Sequence, residues 1–204
     1  MESLFIFVLF LLWLAFLLFL RANRIWLFYY LAGAVGMAFL MVHVGRSLVP
    51  WETWLKISTA LSVYQLASVT GIESKLFEAV PGAISVLVIS QEIGWTVLQI
   101  GIESSGLLES AVIVGMICFY PRWSLGRKAF LAALGLATTY VANVVRIFFI
   151  VSTLQWGGKD FLFLSHTVLG RALFFALVVI VYWYILSLPT LRTVGEKLRE
   201  EMRR

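Results

Sequence analysis

The chain has 204 residues, 61% of them hydrophobic, with a mean hydropathy of +0.95 and a formal net charge of +5. So much apolar surface excludes an ordinary water-soluble domain and indicates an integral membrane protein, in which a modest positive excess reads as cytoplasmic loop bias rather than nucleic-acid binding. One cysteine, Cys118, and two histidines, His43 and His166, exclude a disulfide framework and give no ligand cluster for a metal, so no metal and no other cofactor is expected.

The apolar run Leu4–Leu20 is just long enough to span a bilayer at about 1.5 Å per residue. It lacks the basic start and small-residue cleavage site of a signal peptide, so it reads as a retained first helix. Trp26–Val44 is a second span, with Trp26, Tyr29 and Tyr30 suited to an interface and His43 a bland residue at its far end. Residues 46–106 form the most polar stretch before the tail. Trp54, Ile57, Leu61 and Tyr64 recur at helical spacing among Ser58, Thr59, Ser62, Gln65 and Ser68, which predicts an amphipathic helix on the surface or at the rim. Gly71 and Pro81-Gly82 are breakers. Ile84–Ile89 and Trp95–Ile102 are β-branched and aromatic, joined through Gln91-Glu92-Ile93-Gly94. They predict a hairpin, which must sit above the hydrocarbon because open strand edges cannot face lipid.

Leu107–Tyr120 is a short apolar segment stopped by Pro121, and its start at Ser104 or Ser105 suits an N-cap near the interface. Ala129–Leu154 is the fourth span, Gln155–Leu164 a loop, and His166–Leu188 the fifth span, closed by Pro189. A charged cytoplasmic tail covers 190–204. The expected fold is therefore mainly α: a multi-pass membrane protein of about five transmembrane helices plus an extracytoplasmic amphipathic helix and β-hairpin, in one membrane-embedded domain over 1–204.

Arg21, Arg24, Arg122, Arg127, Lys128, Arg192, Lys197, Arg199, Arg203 and Arg204 fall on one side of these spans. Arg46, Lys56, Lys75 and Lys159 fall on the other. The positive-inside rule puts the first group in the cytoplasm, hence the N-terminus, the segment of about 46–105 and the 155–165 loop outside a cell membrane.

Arg146 and Arg171 are left within the spans. An arginine near mid-helix costs about 2.5–3.5 kcal/mol on insertion scales. Thr139, Asn143 and Arg146 fall at i, i+4 and i+7, a polar stripe that must face protein or a wet cavity. A structural reading pairs Arg146 with a buried carboxylate such as Glu109. His166 opens the fifth span from the outer side. Arg171 lies five residues on and about 140° around the helix, suited to pairing Glu109 or a lipid phosphate. Glu103-Ser104-Ser105-Gly106 stands at a helix start. Free amides and a partial positive charge there favour an anionic nucleophile and an oxyanion, and Gly106 lets a backbone approach closely.

Three motifs carry a resemblance. They are Ile102-Glu103-Ser104-Ser105-Gly106-Leu107, Ala142-Asn143-Val144-Val145-Arg146-Ile147, and Ser165-His166-Thr167 with Gly170-Arg171. In order, spacing and helix placement, residues from about 100 to 188 resemble the exosortase/archaeosortase family of multi-pass membrane transpeptidases, most closely the short G-type exosortases of Gram-positive bacteria. The N-terminal half is only generically similar.

The resemblance implies an outward-facing Cys-Arg-His site. It would act on a protein substrate with a C-terminal sorting signal of short motif, hydrophobic helix and basic tail. The enzyme would cut at the motif and pass the acyl group to a membrane-linked acceptor, a lipid or a lipid-linked or glycan group. It further implies Ser104 at the nucleophile position, His166 as activating base or acid toward the leaving amine, and Arg146 stabilising the anionic nucleophile or the oxyanion. Amides near Ser105 and Gly106 would complete an oxyanion hole, with Glu103 and Asn143 as orienting groups.

The chain departs from the family at one position, where the cysteine is replaced by Ser104. The surroundings are intact and Cys118 lies too deep in its helix to substitute, so Ser104 reads as a trapping Cys-to-Ser replacement. A thiolate forms near neutral pH beside cations and a helix terminus, whereas a serine hydroxyl needs a general base. Such a form binds substrate and turns it over poorly. Two other readings stand beside this one. The first is an intramembrane serine protease using Ser104 or Ser105 with His166, which leaves Arg146 unexplained. The second is a non-catalytic membrane protein whose Arg146 and Arg171 hold a lipid or phosphate.

Overall fold

The computed structural model describes residues 2–80, 83–90, 94–101, 104–121, 123–189, 191, 199 and 202. Pro81-Gly82, the connecting Gln91-Glu92-Ile93, Ile102-Glu103, Arg122 and most of the charged tail 190–204 lie outside the described residues. The protein is mainly helical. Three helices are long and apolar enough to cross a membrane: Trp26–Ser47, Leu125–Gly157 and Leu164–Ser187. Ile6–Ala22 and Leu107–Phe119 are shorter apolar helices. Large apolar side chains such as Leu12, Phe19, Leu27 and Phe39 point outward from the first two helices. That surface suits lipid, not water.

Helix α1 (Glu2–Ala22) turns into α2 (Trp26–Ser47) through a short connection in which Asn23 Nδ2 donates to the Phe19 carbonyl at 2.8 Å. Trp13 Nε1 donates to the Ala32 carbonyl at 2.9 Å and ties the two helices together. Helix α4 (Leu107–Phe119) packs antiparallel on α2. A Cβ built on Gly115 would lie 2.5 Å from the Ala34 carbonyl oxygen, so only glycine permits this approach of backbones.

Helix α5 (Leu125–Gly157) is the spine. Its 33 residues extend about 50 Å, well beyond the roughly 30 Å of bilayer hydrocarbon. The expected span Ala129–Leu154 is therefore overrun at both ends; Leu125–Gly157 contains no proline to stop it. Helix α4 runs antiparallel to it: Gly106 lies against Asn143, Gly135 against Ile113, and Lys128 Nζ donates to the Cys118 carbonyl at 2.5 Å. That ammonium sits at the negative end of α4. After a 3-10 turn (Gly158–Phe161), the last helix begins with a π-helical stretch, Leu164–Leu169. It continues as α6 (Gly170–Tyr182) and closes with a second π-helical stretch, Trp183–Ser187. Gly170 packs on Ile150, so this helix returns antiparallel along α5.

Helix α3 (Trp51–Val69) forms where the helical spacing predicts. It does not merely lie on a surface. Ala60, Val63 and Ala67 are buried with Val144, Ile147 and Val151 of α5, and Ser62 Oγ meets Tyr140 Oη at 2.8 Å. Three antiparallel strands follow in the order β1 (Ser74–Val80), β2 (Ala83–Ser90) and β3 (Gly94–Gln99). Strands β2 and β3 coincide with the β-branched stretches and pair from Ser85–Gln99 to Ser90–Gly94. Strand β1 was not anticipated. Leu98 and Ile100 are buried with Ile147, Ile150, Val151 and Leu154 of α5, which pins the chain leading into Ser104 along the spine.

Candidate active site

The turn before α4 is shaped by Gly106, whose φ of 75° lies in the left-handed region. A Cβ there costs about 1–2 kcal/mol. Gly106 is itself the N-cap and gives no side-chain cap, which corrects the expectation that Ser104 or Ser105 takes that place. The reason is the left-handed corner, which puts the helix boundary on the glycine. Ser105 acts one residue earlier, its Oγ accepting from the Leu107 amide at 3.2 Å. The Ser104 amide donates to the Gly101 carbonyl at 3.1 Å. Both serines are buried, at 3% and 1% exposure. The turn stands at the positive end of α4, where anionic groups are favoured.

The polar stripe on α5 faces inward, with Thr139, Asn143 and Arg146 all buried. Asn143 Nδ2 donates to the Ser104 carbonyl at 2.8 Å. Asn143 Oδ1 is buried without a hydrogen-bond partner among the described residues. An unpaired buried acceptor costs about 1–3 kcal/mol, so a donor entering this layer gains by meeting it.

Arg146 lies one turn beyond Asn143. Its guanidinium carbon sits 5.0 Å from the Phe174 ring centroid, a cation–π contact. Sequence reasoning missed Phe174; its place three residues after Arg171, one turn along the same helix, was the available signal. Arg146, Glu109, Arg171, Phe174, Phe175 and Val178 line a cavity of about 410 Å³ between α4 and α6.

The structure thus groups the expected residues into two neighbouring sets. Ser104, Ser105, Gly106 and Asn143 form one layer around the turn. Arg146, Glu109 and Arg171 share the cavity beside it. His166 is half-buried on the π-helical stretch, about two turns along the helix from Phe174, and does not line that cavity. π-Helical turns re-aim side chains and recur at functional sites. Glu103 lies outside the described residues. His43 borders an apolar groove between α1 and α2 and lines neither the turn nor the cavity among the contacts described. Among the described residues no group of three His, Cys, Asp or Glu side chains gathers.

No family model, curated protein or solved structure matches this chain.

Proposed function

We propose that this chain is a membrane-embedded protein-sorting transpeptidase of the exosortase kind, with Ser104 at the position of the nucleophilic cysteine. The observation that carries it is the fixing of Ser104: a buried residue at the positive end of α4, its carbonyl held by Asn143, one turn of α5 away from a buried Arg146. A nucleophile needs a defined position and a way to bear negative charge. The helix terminus and the guanidinium supply the second.

In this reading α1, α2, α4, α5 and the last helix all cross the membrane, with the N-terminus outside and the tail in the cytoplasm. The 13 residues of α4 extend only about 20 Å, short of the roughly 30 Å hydrocarbon layer. Its inner end is anchored by Tyr120 stacked on Trp123 at 4.2 Å and by Arg127 5.1 Å from the Trp123 ring centroid, a cluster suited to the headgroup level. The Ser104 turn then sits about 10 Å beneath the outer headgroups. That is the depth a peptide bond next to a substrate's hydrophobic helix would reach.

With cysteine at 104, the thiolate adds to the scissile carbonyl and Arg146 steadies the oxyanion. His166 protonates the departing amine, leaving a thioester that a membrane-linked acceptor resolves. With serine, His166 must first remove the hydroxyl proton, so this form turns over slowly. The test is co-expression with candidate proteins bearing a tripartite C-terminal signal, comparing Ser104→Cys with the present chain by mass spectrometry of the C-terminus. Cleavage by the cysteine form is expected; every candidate left uncut would end the assignment.

A further inference from the structure

We propose that the free edge of β3 holds the substrate: the extended stretch just ahead of the bond to be cut adds to the sheet as a fourth strand. The inference rests on the transpeptidase reading and names how that site takes its peptide. The sheet has two edges, and they differ. Strand β1 carries Lys75 and Glu78, and its register shifts between Glu78 and Val80. Charges and irregularities of this kind discourage a further strand. Strand β3 has neither: Gly94–Gln99 contains no charged residue and no proline, and its six residues pair with β2 in unbroken register. Among the described residues no other main chain pairs with its outer side. An open edge meets water or another strand, never lipid.

Burial tells which groups point outward. Thr96 and Leu98 are 5% and 3% exposed. Buried main-chain groups are almost always paired, so these two residues exchange hydrogen bonds with Val88 and Val86 of β2. Alternation along an antiparallel ladder then turns the N–H and C=O of Val97 and Gln99 outward. Val97 is half-buried and Gln99 exposed, as that arrangement requires. The edge also leads to the site. The 3-10 turn Gly158–Phe161 packs against β3 near the outer end of α5, and Asn143 holds Ser104 further down the same helix. The chain therefore descends along α5, and Gln99 stands five residues before Ser104. A substrate whose folded part is outside and whose hydrophobic helix is in the bilayer descends the same way. Its extended motif runs parallel to β3 and delivers the next peptide bond to the Ser104 turn. Such strand addition draws affinity from main-chain hydrogen bonds.

The experiment uses the full-length Ser104→Cys protein in detergent and a tripartite-tail substrate, made by chemical ligation with a single N-methyl amide at successive positions ahead of the cut. Alternate residues of an added strand point their N–H at β3. Cleavage, read as kcat/KM, should therefore fall roughly tenfold at every second position and little at those between. Val97→Pro removes an outward N–H and spares the ladder to β2. It should lower kcat/KM roughly tenfold and flatten the alternation. Ser74 pairs with Val88, whose main chain is turned to β3, so Ser74 faces outward from the opposite edge. Ser74→Pro should leave cleavage unchanged. Equal losses at all positions, no loss at any, or Val97→Pro cleaving like its parent would each overturn the proposal. The N-methyl series leaves the enzyme untouched, so it decides even where Val97→Pro fails to fold. Cleavage of the unmethylated substrate without alternation ends this proposal alone; no cleavage of it ends the transpeptidase reading and this proposal with it.

Discussion

Asn143 Nδ2 donates a 2.8 Å hydrogen bond to the Ser104 carbonyl, across 39 residues of sequence. It joins the spine helix to the turn that carries the candidate nucleophile. Both residues are buried, so the contact is shielded from water. Asn143→Ala should destabilise the protein by about 1–3 kcal/mol, since it strands a buried carbonyl. Thermal unfolding in detergent measures this. In the Ser104→Cys background the same change should also slow substrate cleavage, because the turn loses its fixed position.

Two glycines should fail for different reasons. Gly106→Ala meets nothing closer than 3.5 Å, at Asn143, so its cost is the left-handed backbone alone, about 1–2 kcal/mol. Gly115→Ala drives a methyl against the Ala34 carbonyl and must push α2 from α4, costing about 1–3 kcal/mol or more. The obstacle is backbone, so Ala34→Gly should not rescue Gly115→Ala. Paired melting curves of the single and double variants check this.

The docking of α3 on the spine rests in part on Ser62 Oγ and Tyr140 Oη, 2.8 Å apart and partly buried. Tyr140→Phe and Ser62→Ala should each cost about 1 kcal/mol, and the double variant less than their sum. Additive losses in the double-mutant cycle would mean that the pair does not interact.

Much of this architecture is legible as hydropathy. The apolar runs announce α1, α2, α4, α5 and the last helix, and the serine-flanked aromatic spacing announces α3. What is not legible depends on partners. Ser74-Lys75-Leu76-Phe77-Glu78 shows no clean alternation, and only pairing with Val88 through Ile84 makes it a strand. The face of α3 bearing Ala60, Val63 and Ala67 looks weakly apolar until α5 covers it. At the site, the stripe Thr139, Asn143, Arg146 showed that α5 must turn a polar face inward. That Asn143 would grip the Ser104 backbone, and that Arg146 would lie over Phe174, depend on the register of three helices. The π-helical stretch beneath His166 has no sequence signature.

The role proposed for Arg146 depends on its planar fork, which lysine lacks. In the Ser104→Cys background, Arg146→Lys should keep the fold, with melting shifted little, while cleavage falls about 10²–10³-fold. Phe174→Leu removes the ring beneath the guanidinium and should lower stability by about 0.5–2 kcal/mol. Single-turnover cleavage assays and melting curves separate the two effects.

Residue 104 as an acyl-carrying nucleophile is tested most directly by intercepting the acyl group. The Ser104→Cys protein and a cleavable tripartite-tail substrate are incubated with and without hydroxylamine, and the new C-terminus of the product is weighed. Hydroxylamine nitrogen attacks a thioester carbonyl and the thiolate leaves, so a C-terminal hydroxamate is expected with cysteine at 104 and none with Ser104→Ala. A product carrying only a plain carboxylate with hydroxylamine present, or the same cleavage with alanine at 104, would contradict it.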